Sequence, residues 1–120
     1  MSDTVNLVDR YIAMWNAGDP ADRHDLIAGA WVESGHYIDP LMEGQGHAGI
    51  DAMVAAVQER FPGHQFRRTS EVDAHNAVVR FAWELGAEGQ PPLVKGVDFG
   101  VLAQDGRLQS ITGFLDQLPG

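Results

Sequence analysis

The chain has 120 residues, of which 44% are hydrophobic, and eight basic residues against 17 acidic ones give it a formal net charge of −9. This length suits one domain with its own core, and the scarcity of Lys and Arg argues against a nucleic-acid partner, because phosphate binding needs clustered positive charge. The absence of cysteine excludes disulfides and thiolate metal sites. Neither a membrane span nor a signal peptide is indicated, so we expect a cytoplasmic protein without a membrane partner.

The first half of the chain has the pattern of helices. Apolar residues at steps of three and four predict a helix over residues 4–17 with a broad buried face. Gly18 suits the end of this helix, while Asp19 and Pro20 provide the N-cap and first-turn proline of a second helix over residues 20–30.

A short strand and a third helix follow. A turn is predicted at 33–35, a strand at 36–39 and a loop at 41–47. The third helix begins near His47 and ends before Pro62, which cannot continue it.

The second half of the chain has the two-residue period of strands. Turn signals divide it into strands at 64–74, 77–86, 93–104 and 107–117. Three helices followed by antiparallel strands predict a single α+β domain over residues 1–120. We expect the helices to cover one face of a strongly curved, mainly antiparallel sheet, which forms a cone with an internal pocket.

Asp98 lies inside an apolar strand, where a buried carboxyl group destabilises the fold unless it is protonated or ion-paired, or is retained because it has a function. Strand alternation places Gly96 on its face and Phe99 on the opposite face. By the same alternation, neither Arg80 nor Lys95 is placed to pair with Asp98. Both faces of this strand are otherwise apolar, which predicts a homodimer through the outer face of the sheet.

Three phrases of the sequence resemble those of bacterial ketosteroid isomerases. They are Arg10–Asp19 on the first helix, Ile38–Pro40 at the end of the short strand, and Gly96–Phe99. More broadly, the chain resembles the SnoaL-like, polyketide-cyclase-like members of the nuclear-transport-factor-like cone fold, over nearly its whole length.

The resemblance implies a catalytic trio of Tyr11, Asp39 and Asp98 and no cofactor. In the isomerases, the tyrosine and the strand aspartate donate hydrogen bonds to the substrate oxygen, and the aspartate before proline is the base that moves the proton. Such chemistry requires Asp98 to stay protonated by desolvation and Asp39 to stay ionised nearer to water. The expected pocket takes a small apolar ligand or substrate, and its predicted lining is Trp15, Met53, Phe81, Trp83 and Leu85.

Alternatives remain at this point. A steroid substrate does not follow from the resemblance, since Trp15, Trp31 and Trp83 make the pocket lining differ from that of the isomerases. Isomerisation of a smaller enone or a polyketide-like ring closure would use the same trio. A ligand-binding or carrier domain is a second hypothesis, and a structural dimer module is a third.

Other motifs are weaker. The five histidines have no metal-ligand spacing, although a dehydratase-like His–Asp pair across elements stays open. The related epoxide-hydrolase pattern has an arginine where this chain has Gly96. Residues 44–49 resemble a nucleotide-binding glycine motif but follow a loop, so we interpret the glycines as turn residues.

Overall fold

A computed structural model describes residues 3–119 of the chain. Within them the helices are α1 (Asp3–Asn16), α2 (Pro20–Ala30) and α3 (Gly46–Arg60). The carboxylate of Asp19 accepts a hydrogen bond from the backbone N–H of Asp22 at 3.2 Å, as expected of the N-cap of α2. All three predicted helices are therefore present, with bounds close to those expected.

The strands within residues 3–119 form one sheet. They are β1 (Trp31–Ile38), β2 (Glu43–Gln45), β3 (His64–Arg68), β4 (Asp73–His75), β5 (Val78–Ala87), β6 (Val94–Leu102) and β7 (Leu108–Gln117). Their order is β2-β1-β7-β6-β5-β3, and β4 also pairs with β5. The β1–β7 pair is parallel and the other pairs are antiparallel, so the last strand lies in the middle of the sheet.

Three local predictions need correction. The turn predicted at 33–35 is wrong, because these residues continue β1, whose pairing with β7 shifts register between Trp31 and His36. Gly35 permits this irregularity, since a Cβ atom there would lie 2.6 Å from the Trp31 ring. The loop predicted at 41–47 contains β2, and the strand predicted at 64–74 is divided into β3 and β4.

The three helices pack on the strongly curled sheet, which forms a half-barrel, and the predicted α+β cone is confirmed. Trp31, Ile50 and Ile111 are fully buried between the two layers. Arg23 is also buried and connects the helices, because its guanidinium donates to Asp51 on α3 at 2.6 Å and to the carbonyl of Ala17 at 2.9 Å. The helices and the sheet enclose a cavity between them.

The two faces of β6 differ as the sequence predicts. Gly96 and Asp98 are buried, whereas Phe99 points outward and is 39% exposed. Phe114 on β7 is 57% exposed. None of the helices within residues 3–119 combines the length and the apolar character that crossing a membrane requires.

Candidate active site

Tyr11 and Asp98 form a buried pair in the interior of the cone. Helix α1 carries Tyr11 and strand β6 carries Asp98, and the exposed fractions of the two residues are 1% and 2%. The hydroxyl of Tyr11 donates to Oδ2 of Asp98 at 2.7 Å. The indole Nε1 of Trp83, on β5, donates to Oδ1 of Asp98 at 3.0 Å.

The carboxyl group of Asp98 is an unusually weak acid. Burial raises its pKa to about 7, and the nearby charge of Asp39 contributes in the same direction, while the hydrogen bonds from Tyr11 and Trp83 oppose the rise. Within residues 3–119, Arg80 pairs instead with Asp73 at 2.8 Å, and no Lys or Arg side chain hydrogen-bonds to Asp98. Asp98 is therefore mainly protonated below neutral pH.

Trp83 determines which oxygen of Asp98 carries the proton. An indole N–H can only donate, so Oδ1 must be the acceptor. The acid proton then lies on Oδ2, the oxygen next to the hydroxyl of Tyr11. The O–H of Asp98 is thus available to a ligand oxygen, and Tyr11 donates to the same oxygen only when its hydroxyl turns away from Oδ2 of Asp98. The sequence predicted Trp83 as part of the pocket lining, and its role as a donor to Asp98 was missed.

Asp39 is half-buried just beyond the end of β1 and is held by a tight turn. Its Oδ1 accepts hydrogen bonds from the backbone N–H groups of Leu41 at 2.8 Å and Met42 at 3.0 Å. Its Oδ2 accepts from the hydroxyl of Tyr37 at 2.7 Å. The three donors fix the orientation of this carboxylate.

Tyr37 is a residue of the site that the sequence analysis missed. Burial, followed by the charges of Asp98 and Asp39 and the hydrogen bond to Asp39, raises the pKa of Tyr37 far above its ordinary value, so the phenol stays a donor. Its ring packs on that of Trp15 with centroids 5.5 Å apart. The available signal was its position two residues before Asp39, which places both on the same side of an extended chain.

The two Tyr–Asp pairs meet around Gly113 on β7. A Cβ atom at Gly113 would lie 3.0 Å from Oδ1 of Asp98, 3.1 Å from Cβ of Asp39 and 3.2 Å from the hydroxyl of Tyr37. Residues that are distant in the sequence therefore converge on one point, and the missing side chain of Gly113 leaves room for them. Tyr11 joins the group through its hydrogen bond to Asp98.

A cavity of about 690 Å³ connects these groups with the surface. Tyr11, Tyr37, Asp39 and Asp98 all line it. Of the predicted lining residues, four are also on its wall, and they are Trp15, Met53, Trp83 and Leu85.

Phe81 is the exception among the predicted lining residues. Its ring is 2% exposed and packs on Tyr11 with centroids 5.8 Å apart, so it supports the tyrosine from behind instead of facing the cavity.

The histidines lie apart from this group. His36 hydrogen-bonds to Glu43 at 2.5 Å, and His47 contacts the carbonyl oxygen of Trp31 at 3.0 Å. His24 lies 3.4 Å from Asp51, beside a smaller cavity of about 360 Å³. Among residues 3–119, no cluster of three or more His, Asp or Glu side chains is arranged to hold a metal ion.

Gly96 lies beneath the ring of Trp83. A Cβ atom at this position would come within 2.5 Å of the indole and 2.6 Å of the carbonyl oxygen of Phe114. An arginine side chain, as in the epoxide-hydrolase pattern, cannot occupy this space without displacing the donor to Asp98.

Comparisons with known proteins agree with this architecture. The SnoaL-like domain family matches residues 8–111. A SnoaL-like family protein from Agrobacterium tumefaciens, named as a candidate isomerase, is 36% identical, with a TM-score of 0.90 over 97% of this chain and 99% of that chain. No curated protein matches the chain.

Two more distant structures share the fold. One is a protein from Catenulispora acidiphila with a ketosteroid isomerase-like fold, in complex with trimethylamine (16% identity, 89% of this chain and 82% of that chain, TM-score 0.71). The other is a candidate SnoaL-like polyketide cyclase from Jannaschia (20% identity, 97% of this chain and 90% of that chain, TM-score 0.69). Together with the family match, these similarities establish that the chain belongs to the SnoaL-like family and has the ketosteroid isomerase-like cone fold.

Proposed function

We propose that this protein is a small cytoplasmic enzyme that transfers a proton on an apolar carbonyl substrate without a cofactor. The observation that supports this most is the convergence of two Tyr–Asp pairs around Gly113, inside a cavity whose wall is otherwise largely apolar. In this proposal Asp39 is the base, and Tyr11 and Asp98 bind the substrate oxygen.

The proposed reaction begins when the substrate carbonyl oxygen accepts a hydrogen bond from protonated Asp98 and replaces Asp98 as the acceptor for the Tyr11 hydroxyl. Asp39 then removes a proton from the carbon next to the carbonyl, and the electron pair moves onto the oxygen as an enolate. Each donor stabilises that developing charge by about 3 kcal/mol in a water-poor site. In an isomerisation the proton returns from Asp39 to a different carbon. In a cyclisation the enolate carbon attacks a second carbonyl, whose oxygen takes the proton back from Asp39.

The similar proteins favour this class of chemistry. The 36% identical protein from Agrobacterium tumefaciens is named a candidate isomerase, and the structural neighbours include candidate polyketide cyclases. We carry an isomerase-type or cyclase-type activity over to this chain on that similarity. Tyr37 acts here as a positioning residue, since it holds Oδ2 of the proposed base.

A second candidate function is that of a carrier that binds a small ligand without changing it. The observation in its favour is that Asp39 already accepts three hydrogen bonds from the protein. Such a carboxylate is well suited to a fixed binding surface, where no proton needs to be taken up.

The isoxazole 5-nitrobenzisoxazole tests the base directly. Loss of its ring proton breaks the N–O bond and releases a coloured phenolate, whose oxygen Tyr11 and Asp98 would stabilise. We expect saturable turnover by the wild-type protein and a fall in kcat of about 100-fold or more in Asp39→Asn. Asp25→Asn is the matched control, because Asp25 is exposed on α2, and it should keep wild-type turnover.

Ligand binding separates the two candidate functions. We expect 4-cyanophenol, which resembles an enolate, to bind equally to the wild-type protein and to Asp39→Asn. Turnover that survives Asp39→Asn would remove Asp39 from the role of base. Tight phenol binding without any turnover by the wild-type protein would favour the carrier.

A further inference from the structure

We infer that Arg60 binds a carboxylate at the mouth of the cavity and that the ligand is an elongated apolar acid. The opposite, uncharged end of the ligand would reach Tyr11 and Asp98, and that part of the inference rests on the proposed function. The contact with Arg60 rests on separate observations.

Arg60 is the last residue of α3 and lines the cavity. Within residues 3–119 it is the arginine for which no hydrogen bond or ion pair is found. The other arginines all donate to a carboxylate or a carbonyl, and they are Arg10, Arg23, Arg67, Arg68, Arg80 and Arg107. In a chain with 17 acidic residues, partners for a surface arginine are plentiful. An arginine left without one beside a cavity is free to bind a ligand.

The guanidinium of Arg60 is nevertheless held in place. It lies 5.7 Å from the centre of the Phe61 ring, and Phe61 also lines the cavity. Contact with an aromatic face restrains the planar guanidinium and leaves its N–H groups open to an acceptor.

The charges of the cavity determine how an acid would be oriented. The acidic residues that line the cavity are Asp98, which is buried, Asp39, which is half-buried, and Glu43, which is hydrogen-bonded to His36. The charge of Asp39 repels a carboxylate and that of Arg60 attracts it, so the uncharged end of the ligand enters first.

Helix α3 forms one wall of the cavity, and its length shows that the cavity is elongated. Gly49 lies near the start of this helix, in close contact with Gly44 on β2, and Arg60 ends the helix. The distance between them is about 16 Å at a rise of 1.5 Å per residue. Met53 and Val57 face the cavity between these ends, so the middle of the ligand is apolar.

The mouth of the cavity also exposes apolar side chains. Leu41 and Leu118 line it and are 64% and 49% exposed. An apolar ligand in the cavity would contact both and remove apolar surface from water.

The test compares a carboxylate with its uncharged ester. The probes are 6-(4-hydroxyphenyl)hexanoate and its methyl ester, and binding is followed by the fluorescence of Trp15 and Trp83, which line the cavity. We expect the acid to bind about tenfold more tightly than the ester to the wild-type protein. In Arg60→Gln this ratio should fall to about one.

Arg80→Gln is the matched control. It removes the same charge from an exposed arginine that pairs with Asp73 and does not line the cavity, so the acid should keep its preference. An acid that binds no better than its ester to the wild-type protein would overturn the inference, as would a preference that survives in Arg60→Gln.

A second pair of probes separates this inference from the proposed function. The acid 6-phenylhexanoate and its methyl ester lack the hydroxyl that Tyr11 and Asp98 would bind. If the hydroxyphenyl and phenyl compounds bind equally and the acids still bind more tightly than the esters, the proposed oxygen-binding site is wrong and the inference about Arg60 is supported. If the hydroxyl improves binding but the acids bind no better than the esters, only the inference about Arg60 is wrong. Absence of binding by all four compounds overturns the inference.

Discussion

At the scale of single residues, Asp98 shows how burial can outweigh hydrogen bonding. Two donors favour its charged form, yet burial raises its pKa to about 7. The sequence was sufficient to predict a buried carboxyl without a cationic partner, because strand alternation alone excludes Arg80 and Lys95 as ion-pair partners of Asp98. The donor from Trp83 could not be predicted, because it depends on the angle of the indole ring.

The raised pKa of Asp98 makes the stability of the fold depend on pH. A carboxyl whose pKa is higher in the folded than in the unfolded chain stabilises the fold fully below the unfolded value of 3.8, and this contribution is lost as the pH rises through about 7. Asp98→Asn keeps a neutral amide there. We therefore expect the free energy of unfolding, wild type minus variant, to fall between pH 4 and pH 8 by a few kcal/mol, about 4 at most.

Urea unfolding at several pH values measures this difference. Asp25→Asn is again the control and should follow the wild-type curve at every pH, since Asp25 is exposed. Parallel curves for wild type and Asp98→Asn would show that Asp98 does not change its protonation state in this range.

Tyr37 marks the limit of residue-scale reasoning from sequence. Its spacing from Asp39 was visible, but Asp39 lies beyond the last residue of β1, where the alternation of a strand need not continue. The turn formed by Leu41 and Met42 brings the carboxylate back toward the tyrosine. The hydrogen bond therefore depends on loop geometry that the sequence pattern does not contain.

At the scale of elements, β7 connects the two halves of the candidate site. It pairs with β1, which leads to Asp39, and with β6, which carries Asp98, and Gly113 is the position where both sides meet. The sequence identified the helices and most strands because their signals are local. It did not identify the parallel β1–β7 pairing, since pairing between strands so far apart leaves no periodic signal in either strand.

Gly113→Ala tests this convergence with one added methyl group. The new Cβ atom would be about 3 Å from Asp98, Asp39 and Tyr37, which is closer than ordinary packing allows. We expect a loss of about 1–3 kcal/mol in the free energy of unfolding and at least tenfold weaker binding of 4-cyanophenol. Both quantities are measurable on the same samples by urea unfolding and by tryptophan fluorescence.

Gly18→Ala provides the comparison for that experiment. No atom lies within 4 Å of its added Cβ, so both quantities should stay near wild type. If Gly113→Ala behaves like Gly18→Ala, the two Tyr–Asp pairs are not as close as described.

At the scale of the whole molecule, the outer face of the sheet carries apolar side chains without cover. Phe99 is 39% exposed and Phe114 is 57% exposed, and they project from the neighbouring strands β6 and β7. We propose that a second copy of the chain covers this face, as the apolar character of both faces of β6 predicts.

Phe114→Glu tests the proposed dimer. A charge in the middle of an apolar contact is costly, so the variant should sediment as a monomer at micromolar concentration, whereas the wild type sediments as a dimer. Leu41→Glu is the control, because Leu41 is also exposed but lies at the cavity mouth, and it should remain dimeric. A wild-type protein that sediments only as a monomer would contradict the proposal.

The central position of β7 also has a consequence for the order in which the protein is made. Synthesis proceeds from the amino end, so Asp39 and Asp98 both leave the ribosome before the strand that joins them. Within residues 3–119, β1 and β6 are connected in the sheet only through β7. Because the β1–β7 pairing spans most of the described chain, we expect it to form late in folding. On this expectation the cavity is completed only after β7 has paired, and binding of a ligand would report that the nascent chain has finished folding.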